Sequence, residues 1–303
     1  MPASSRFQTS PRLVAGDLVA LLAPASWAED DWLAANVTRL ESWGLRVRVG
    51  EHVRDRVGYL AGRDEARAAD LNAAVADPEV RAVIALTGGC GSLRLVGAVD
   101  VQALQHDPKP LVGFSDITAL HRVWHAAGVA SLHGCIDGAH AEEARAQLFG
   151  DAPEPVHIEE TAFTASLTTS GRASGVLFGG NLEMLARTTG VVDLDLKGHL
   201  LLLEANRAAG LGMVDRALTQ VLLSGSLDGV SGVAIGRFDG FEGFEDRGWT
   251  VLDVLHDRLD PLGVPILAGL PLGHGSDPRT VPLGTTCHLD ADRGLLTVAP
   301  ALI

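Results

Sequence analysis

Apolar positions in the first half of the chain change period repeatedly, and each change predicts an element. Leu18 to Leu22 is a short unbroken apolar run, the pattern of a strand buried on both faces. Trp32, Asn36, Val37, Leu40 and Trp43 recur at helical spacing behind the acidic start Glu29-Asp30-Asp31, and Gly44 ends that helix. Leu45, Val47 and Val49 alternate with Arg46 and Arg48, a period of two. Ala68, Leu71 and Val75 predict one face of a helix over Asp64 to Ala76, and Asp77-Pro78 breaks it. Val80 to Leu86 reads as a strand that runs into Thr87-Gly88-Gly89-Cys90-Gly91. Pro110 to Val112 begins another strand. Ile117, Leu120, Val123 and Trp124 form the apolar stripe of the helix after it, which Gly128 closes. This strand–helix rhythm predicts an α/β fold, a parallel sheet with helices on both faces. Ligands of such sheets bind at the carboxyl ends of the strands, here just after Leu86 and just after Val112.

The rhythm loosens between Gly150 and Gly171, where Pro153, Pro155 and a cluster of Ser and Thr mark a boundary. The expected organisation is a nucleophile-bearing domain over 1–150, a linker over 151–170 and a smaller mixed β/α domain over 171–303. In the last of these, Leu200 to Leu203 is a four-leucine strand ending at Glu204. Met213 to Leu223 and Thr250 to Leu259 read as helices, Val230 to Ile235 and Val264 to Leu267 as strands. Cys287 to Asp290 and Leu295 to Val298 read as a hairpin across Ala291-Asp292-Arg293-Gly294.

Composition narrows the function classes. Of 303 residues, 47% are hydrophobic and 20% charged, so the chain has the apolar content for a sizeable core and is not a disordered one. The net charge is −14 with no basic block, which argues against nucleic acid and against an anionic membrane surface as partners. No stretch of about 18 apolar residues predicts a transmembrane helix. Arg6 and Arg12 ahead of the apolar Leu18–Ala28 stretch imitate a signal peptide, but the run follows Gly16-Asp17 directly and leads into an acidic helix start, as a buried strand would. Cys90, Cys135 and Cys287 are too few and too scattered for a disulfide framework or a zinc site, and a reducing cytoplasm fits.

Three places carry chemistry. Gly113-Phe114-Ser115-Asp116-Ile117 lies between a strand and a helix, the setting of a nucleophile elbow. The second Gly of the full elbow motif is Ile117 here, and on the local sequence alone the plainer reading is that Ser115 or Asp116 caps the helix. Gly88-Gly89-Cys90-Gly91 ends a strand, where backbone N–H groups can face an anion; an ordinary Gly-rich turn is the competing reading. It is neither a dinucleotide fingerprint, since Arg94 stands where a third Gly belongs, nor a Walker loop. Finally, Glu204 closes an apolar strand, where a carboxylate is costly unless paired, and His274 sits in a loop after a strand. Ser115, Glu204 and His274 follow the order Ser…Glu…His known for serine hydrolases, although 11 His make accidental trios easy. His121 and His125 are spaced as metal ligands could be, but without a flanking Glu they read as packed or surface histidines.

Taken together these segments resemble the LD-carboxypeptidase family of serine peptidases, which contains murein tetrapeptide carboxypeptidases and microcin C immunity hydrolases. The matching stretches are Tyr59-Leu60-Ala61-Gly62, Asp64-Glu65-Ala66-Arg67, Gly88 to Leu95, Gly113 to Leu120 and Leu132-His133-Gly134. They continue through Gly179-Gly180-Asn181-Leu182, Leu201 to Glu204, Asp215-Arg216 and Gly269 to His274. The resemblance implies Ser115 as nucleophile, His274 as base and Glu204 as its orienting carboxylate, with an oxyanion hole at the N–H groups of Gly89 and Asp116. It implies no cofactor and no metal, and it implies a homodimer. Two departures bear on substrate choice: Thr87 and Cys90 replace the family's usual Arg and Tyr beside the oxyanion glycine, and Ala205-Asn206-Arg207 replaces a commoner acidic stretch. Cys90 is an alternative nucleophile without a basic neighbour in sequence.

The expected substrate is murein tetrapeptide, cut between its diamino acid and terminal D-alanine. An aminoacyl-nucleotide conjugate is the alternative, although the one Trp between Ser115 and Glu204, Trp124, lies in the elbow helix and so offers no obvious stacking residue. A module that binds an anionic ligand without turnover is the alternative of another class. With −14 overall, an anionic substrate needs a local basic group, for which Arg94, Arg207 and Arg279 are candidates.

Overall fold

A computed structural model describes residues 7–138, 141–192, 195–207 and 210–303; Arg6, weighed above as part of a basic region, lies outside them. The first half runs β1 (Leu18–Leu22), α1 (Asp30–Ser42), β2 (Arg46–Val49), α2 (Asp64–Ala76), β3 (Val80–Ala85), α3 (Val101–His106), β4 (Leu111–Gly113), α4 (Thr118–Ala127), β5 (Ser131–His133) and α5 (Ala141–Leu148). The second runs β6 (Val156–His157), β7 (Arg172–Asn181), α6 (Leu182–Thr188), β8 (His199–Asn206), α7 (Leu211–Leu223) and β9 (Gly232–Asp239). A short hairpin, β10 (Glu245–Asp246) and β11 (Trp249–Thr250), precedes α8 (Val251–Leu259). The chain closes with β12 (Ile266–Leu267), β13 (Val281–Leu283), β14 (Thr286–Asp290) and β15 (Leu295–Val298).

Two sheets result. The first has the order β13-β5-β4-β3-β1-β2, parallel except for β13, which runs antiparallel to β5. The second has the order β12-β9-β8-β7-β14-β15-β6 and is mixed. The α/β architecture read from the periodicity is the one observed. All five residues of β1 are buried, and their alternation explains why. Val19 and Leu21 enter one core, while Leu18, Ala20 and Leu22 enter the other, each Val or Leu contributing about 1.5–3 kcal/mol. The four-leucine run of β8 divides in the same way. Leu201 and Leu203 pack with α6, α7 and α8, and Leu200 and Leu202 pack with Val281 and Leu283 of β13.

Two features depart from the sequence pattern. The buried seam of α1 is Leu33, Asn36 and Leu40, so Trp32 is turned out of the core and is 42% exposed. Its indole N–H donates instead to the Leu86 carbonyl at 3.2 Å, which pins the ring over the carboxyl edge of the first sheet. The stretch 151–170 carries β6, paired with β15, and late in the chain β13 returns to the first sheet with Val281 opposite His133. That return stretches residues 268–280 across the junction of the sheets.

His121 and His125 are packed histidines. His121 is fully buried; its Nε2–H donates to the Gly113 carbonyl at 2.8 Å, and Nδ1 meets the Ser131 hydroxyl at 2.9 Å. Burial pushes its pKa down to about 4, so the ring is neutral in the fold. Above the ordinary imidazole value both folded and unfolded chains are neutral; below it only the unfolded chain gains the proton, and stability falls. His121 should therefore remove about 2 kcal/mol between pH 7 and pH 5. Urea unfolding at the two pH values should show this loss shrinking in His121→Gln relative to the parent chain.

Candidate active site

β4 delivers Ser115 to the carboxyl edge of the first sheet. Ser115 has φ +60°, in the left-handed region that a residue with a Cβ avoids, at a cost of roughly 1–3 kcal/mol. The surrounding bonds hold it there. The Gly113 carbonyl also accepts the Gly134 N–H at 3.0 Å, and the Phe114 carbonyl accepts the Ile117 N–H at 3.1 Å. The Asp116 carboxylate accepts the Ser92 N–H at 2.8 Å, and the Ser92 hydroxyl donates to the Asp116 carbonyl at 2.5 Å. Burial raises the Asp116 pKa above the ordinary carboxylate value, against the pull of those Ser92 bonds. Neither Ser115 nor Asp116 caps the helix, so the capping reading does not hold.

Glu204 is fully buried on β8 at a break in the β8–β9 ladder. Leu203 pairs with Ile235 but Ala205 with Phe238, so Gly236 and Arg237 together face Glu204. A bulge of this kind re-aims a side chain, here toward the loop after β12. Gly273 makes the approach possible. Its φ is +90°, and a Cβ there would lie 2.5 Å from the Glu204 Cγ. Glu204 Oε2 accepts the His274 N–H at 3.2 Å and its ring Nδ1–H at 2.6 Å. His274 Nε2 then meets Ser115 Oγ at 3.0 Å. Burial alone would lower the His274 pKa, but the Glu204 hydrogen bond and charge, with Asp239 adding, raise it above the ordinary imidazole value. The Phe114 ring packs 5.3 Å from the imidazole.

The hydroxyl opens on a cavity of about 340 Å³. Gly88, Gly89 and Phe114 line one side, Cys135 to Gly138 another, and His274 to Ser276 a third. Gly89 is held from behind. The buried Arg67 donates to the Gly91 carbonyl at 3.1 Å, to the Pro24 carbonyl and to Asp64, and the Cys90 N–H donates to Ser26 Oγ at 3.1 Å. Asp116 contributes no side chain to the cavity lining, and Cys90 is exposed outside it.

The three candidate arginines are not brought to this cavity. Arg94 pairs with Asp64, Arg207 stacks over Phe244, and Arg279 is engaged by Glu143 and by the carbonyls of Glu154 and Pro155. Residues that the sequence did not single out do reach the area. Trp32, read as part of a core stripe, lines the cavity, and Arg237 lines an adjoining one. Arg67 carried a signal of a sort, as a charge on the apolar side of α2.

A hydroxyl, an imidazole and a carboxylate in one hydrogen-bonded row can deprotonate the hydroxyl for attack on an acyl carbon, the chemistry of serine hydrolases. Comparison with known proteins agrees in class. Residues 19–134 match the LD-carboxypeptidase N-terminal domain and residues 174–289 the LD-carboxypeptidase C-terminal domain. The chain belongs to the LD-carboxypeptidase family, a family of serine-type carboxypeptidases. A protein of Streptomyces coelicolor is 41% identical, with 96% of each chain covered. The murein tetrapeptide carboxypeptidase of Pseudomonas aeruginosa is 30% identical over 91% of this chain and 94% of its own. Among solved structures, the muramoyltetrapeptide carboxypeptidase of Oxalobacter formigenes superposes with a TM-score of 0.80 at 26% identity, covering 93% of this chain and 97% of that one. An MccF-like protein of Bacillus anthracis shares the fold, with a TM-score of 0.83 at 20% identity over 97% and 99% of the two chains.

Two outcomes follow from this geometry. Ser115→Gly relieves the left-handed backbone that Ser115→Ala keeps, so in urea unfolding it should be the more stable of the two by about 1 kcal/mol. Asp239→Asn removes a negative charge that favours the His274 imidazolium, so the acidic limb of kcat/KM should move to lower pH.

Proposed function

We propose that the chain is an LD-carboxypeptidase that releases terminal D-alanine from murein tetrapeptide, in the cytoplasm and in peptidoglycan recycling. The observation that carries this reading is the His274 bridge, 3.0 Å to Ser115 Oγ from one sheet and 2.6 Å to Glu204 Oε2 from the other. His274 takes the Ser115 proton as Oγ attacks the carbonyl of the diamino acid. Glu204 holds the ring by its Nδ1–H and stabilises the imidazolium. The N–H groups of Gly89 and Asp116 receive the oxyanion, a contribution of about 3 kcal/mol per donor. His274 then protonates the leaving D-alanine, and water releases the acyl group from Ser115 by the reverse sequence. The relative from Pseudomonas aeruginosa bears the name of this activity, which supports the substrate.

Trp32 favours a second reading. Its half-exposed indole in the cavity wall is a ring face on which the base of an aminoacyl-nucleotide could stack. Both readings share the Ser115 chemistry and differ in the leaving group.

Purified chain and its Ser115→Ala variant should be given murein tetrapeptide and, separately, an aminoacyl sulfamoyl adenosine. D-Alanine release by the parent chain is expected, with a fall of at least about 10³-fold in the variant. Cleavage of the adenosine conjugate alone would replace the murein reading with the second one.

A further inference from the structure

In the reading above, the oxyanion meets two N–H groups with different anchors. The Asp116 N–H follows Ser115 directly in the chain, so whatever fixes the elbow fixes it too. Gly89 comes from the turn after β3, and its N–H needs a tie of its own. A Cβ on Gly88 would lie 3.0 Å from the Ser115 Cβ and 3.4 Å from its Oγ, so this turn passes within reach of the hydroxyl. Gly89 lines the serine cavity, and its N–H meets no acceptor among the described residues.

Ser26, in the loop after β1, holds both flanks of Gly89. Its N–H donates to the Gly88 carbonyl at 3.2 Å, and its Oγ accepts the Cys90 N–H at 3.1 Å. The Gly88–Gly89 peptide is trans, so its carbonyl and its N–H point in opposite directions. Fixing that carbonyl on Ser26 turns the Gly89 N–H away from Ser26, and the bond to Oγ keeps the next peptide from rotating. Gly89 has φ +96°, and a Cβ there would lie 2.4 Å from Ser26 Oγ, so the bare backbone is what lets the serine come this close.

The same two segments are stapled two residues further out. Arg67, buried on the apolar side of α2, donates to the carbonyls of Pro24 and Gly91, the latter at 3.1 Å, and Asp64 balances its charge. A cation buried in such a place is costly unless it is paired, and the acceptors it finds lie on either side of the Ser26–Gly89 contact. The Ala61 N–H, which donates to the Ala25 carbonyl at 3.0 Å, holds the Ser26 loop as well.

We propose that Ser26 is a positioning residue that aims the Gly89 N–H at the oxyanion. The inference rests on the reading above, in which Gly89 is one of the two donors, and adds what fixes that donor in advance. A donor placed for the tetrahedral oxygen stabilises charge that develops during the reaction and does little for the ground-state carbonyl. Loss of the Ser26 hydroxyl is therefore felt in the tetrahedral state and not in substrate binding.

The test compares the parent chain with Ser26→Ala, which keeps the backbone N–H on Gly88 and removes the acceptor of the Cys90 N–H. Murein tetrapeptide supplies kcat and KM through D-alanine release. A tripeptide boronic acid, with boron in place of the scissile carbonyl carbon, supplies the inhibition constant of a tetrahedral adduct on Ser115. Ser26→Ala should lower kcat about tenfold and raise that inhibition constant by a similar factor, with KM held within about twofold. The acidic limb of kcat/KM should keep its midpoint, because the His274–Glu204 pair is left as it is. Neither KM nor the inhibition constant depends on how much of a preparation is active, so partial misfolding does not imitate this pattern. If kcat and the inhibition constant stay unchanged, the role of Ser26 is overturned and the carboxypeptidase reading stands. A KM that rises with the inhibition constant also overturns it, since Ser26 would then act on substrate binding. No D-alanine release by the parent chain overturns the murein reading and the role with it.

Discussion

A carboxylate without exposed surface at the end of a leucine strand has to find a charged or hydrogen-bonding partner, and the surroundings of Glu204 are arranged around that need. Its partner, His274, belongs to a loop anchored at one end by β12 in the second sheet and at the other by β13 in the first. Gly273 removes the Cβ that would keep the loop away, and the β8–β9 bulge aims the carboxylate at it. Taking one partner out of such a buried pair typically costs about 3–5 kcal/mol, so the contact that orders the imidazole also ties the junction of the two sheets. Arg122 of α4, which donates to the Val192 carbonyl at 2.9 Å, and Asn181, whose N–H donates to Thr118 Oγ1 at 3.0 Å, fix the same junction from the other side.

The strain at Ser115 belongs to this arrangement. A left-handed serine persists only where neighbouring bonds over-determine it. Here those bonds come from four places: His121 on α4, Gly134 after β5, Ser92 after the Gly-rich turn, and Ile117 just past Asp116. None of them contacts the cavity through its own charge. They set where Ser115 Oγ stands, and the second sheet sets where the imidazole meets it.

Much of the first sheet is legible from periodicity because β1 and β4 are buried on both faces, the edge strand β2 alternates, and its helices carry stripes. β1 and α2 begin and end close to where the pattern places them. The strand–Gly–x–Ser–helix setting is visible locally, and Glu204 and His274 stand out as a strand-end carboxylate and a loop histidine, but they lie 70 residues apart and only the resemblance joins them to Ser115. β13 escaped notice because three residues beginning Val281-Pro282 carry no period, and only pairing with β5 makes them a strand. Trp32 was misread because an aromatic at helical spacing looks like core whether it packs inward or turns to a sheet edge. The arginine candidates failed for a related reason. A charge near a motif in sequence is as ready to pair with the nearest carboxylate, as Arg94 does with Asp64, as to face a ligand.

Arg237 also pairs with a carboxylate, Glu159, yet it does line a cavity beside the serine. In the sequence it is one basic residue in Gly236-Arg237-Phe238-Asp239, with nothing to rank it above the others. Its position follows from the same ladder irregularity that turns Glu204, so one backbone slip places both the carboxylate that holds the His274 ring and a cation that faces the adjoining cavity. Gly275, whose missing Cβ lets the Arg237 guanidinium lie against the backbone, directly follows His274 in that loop. The two adjoining cavities are thus held in register by the backbone of one loop, since Gly275 and Ser276 line both and Arg237 donates its N–H to the Leu272 carbonyl of the same loop.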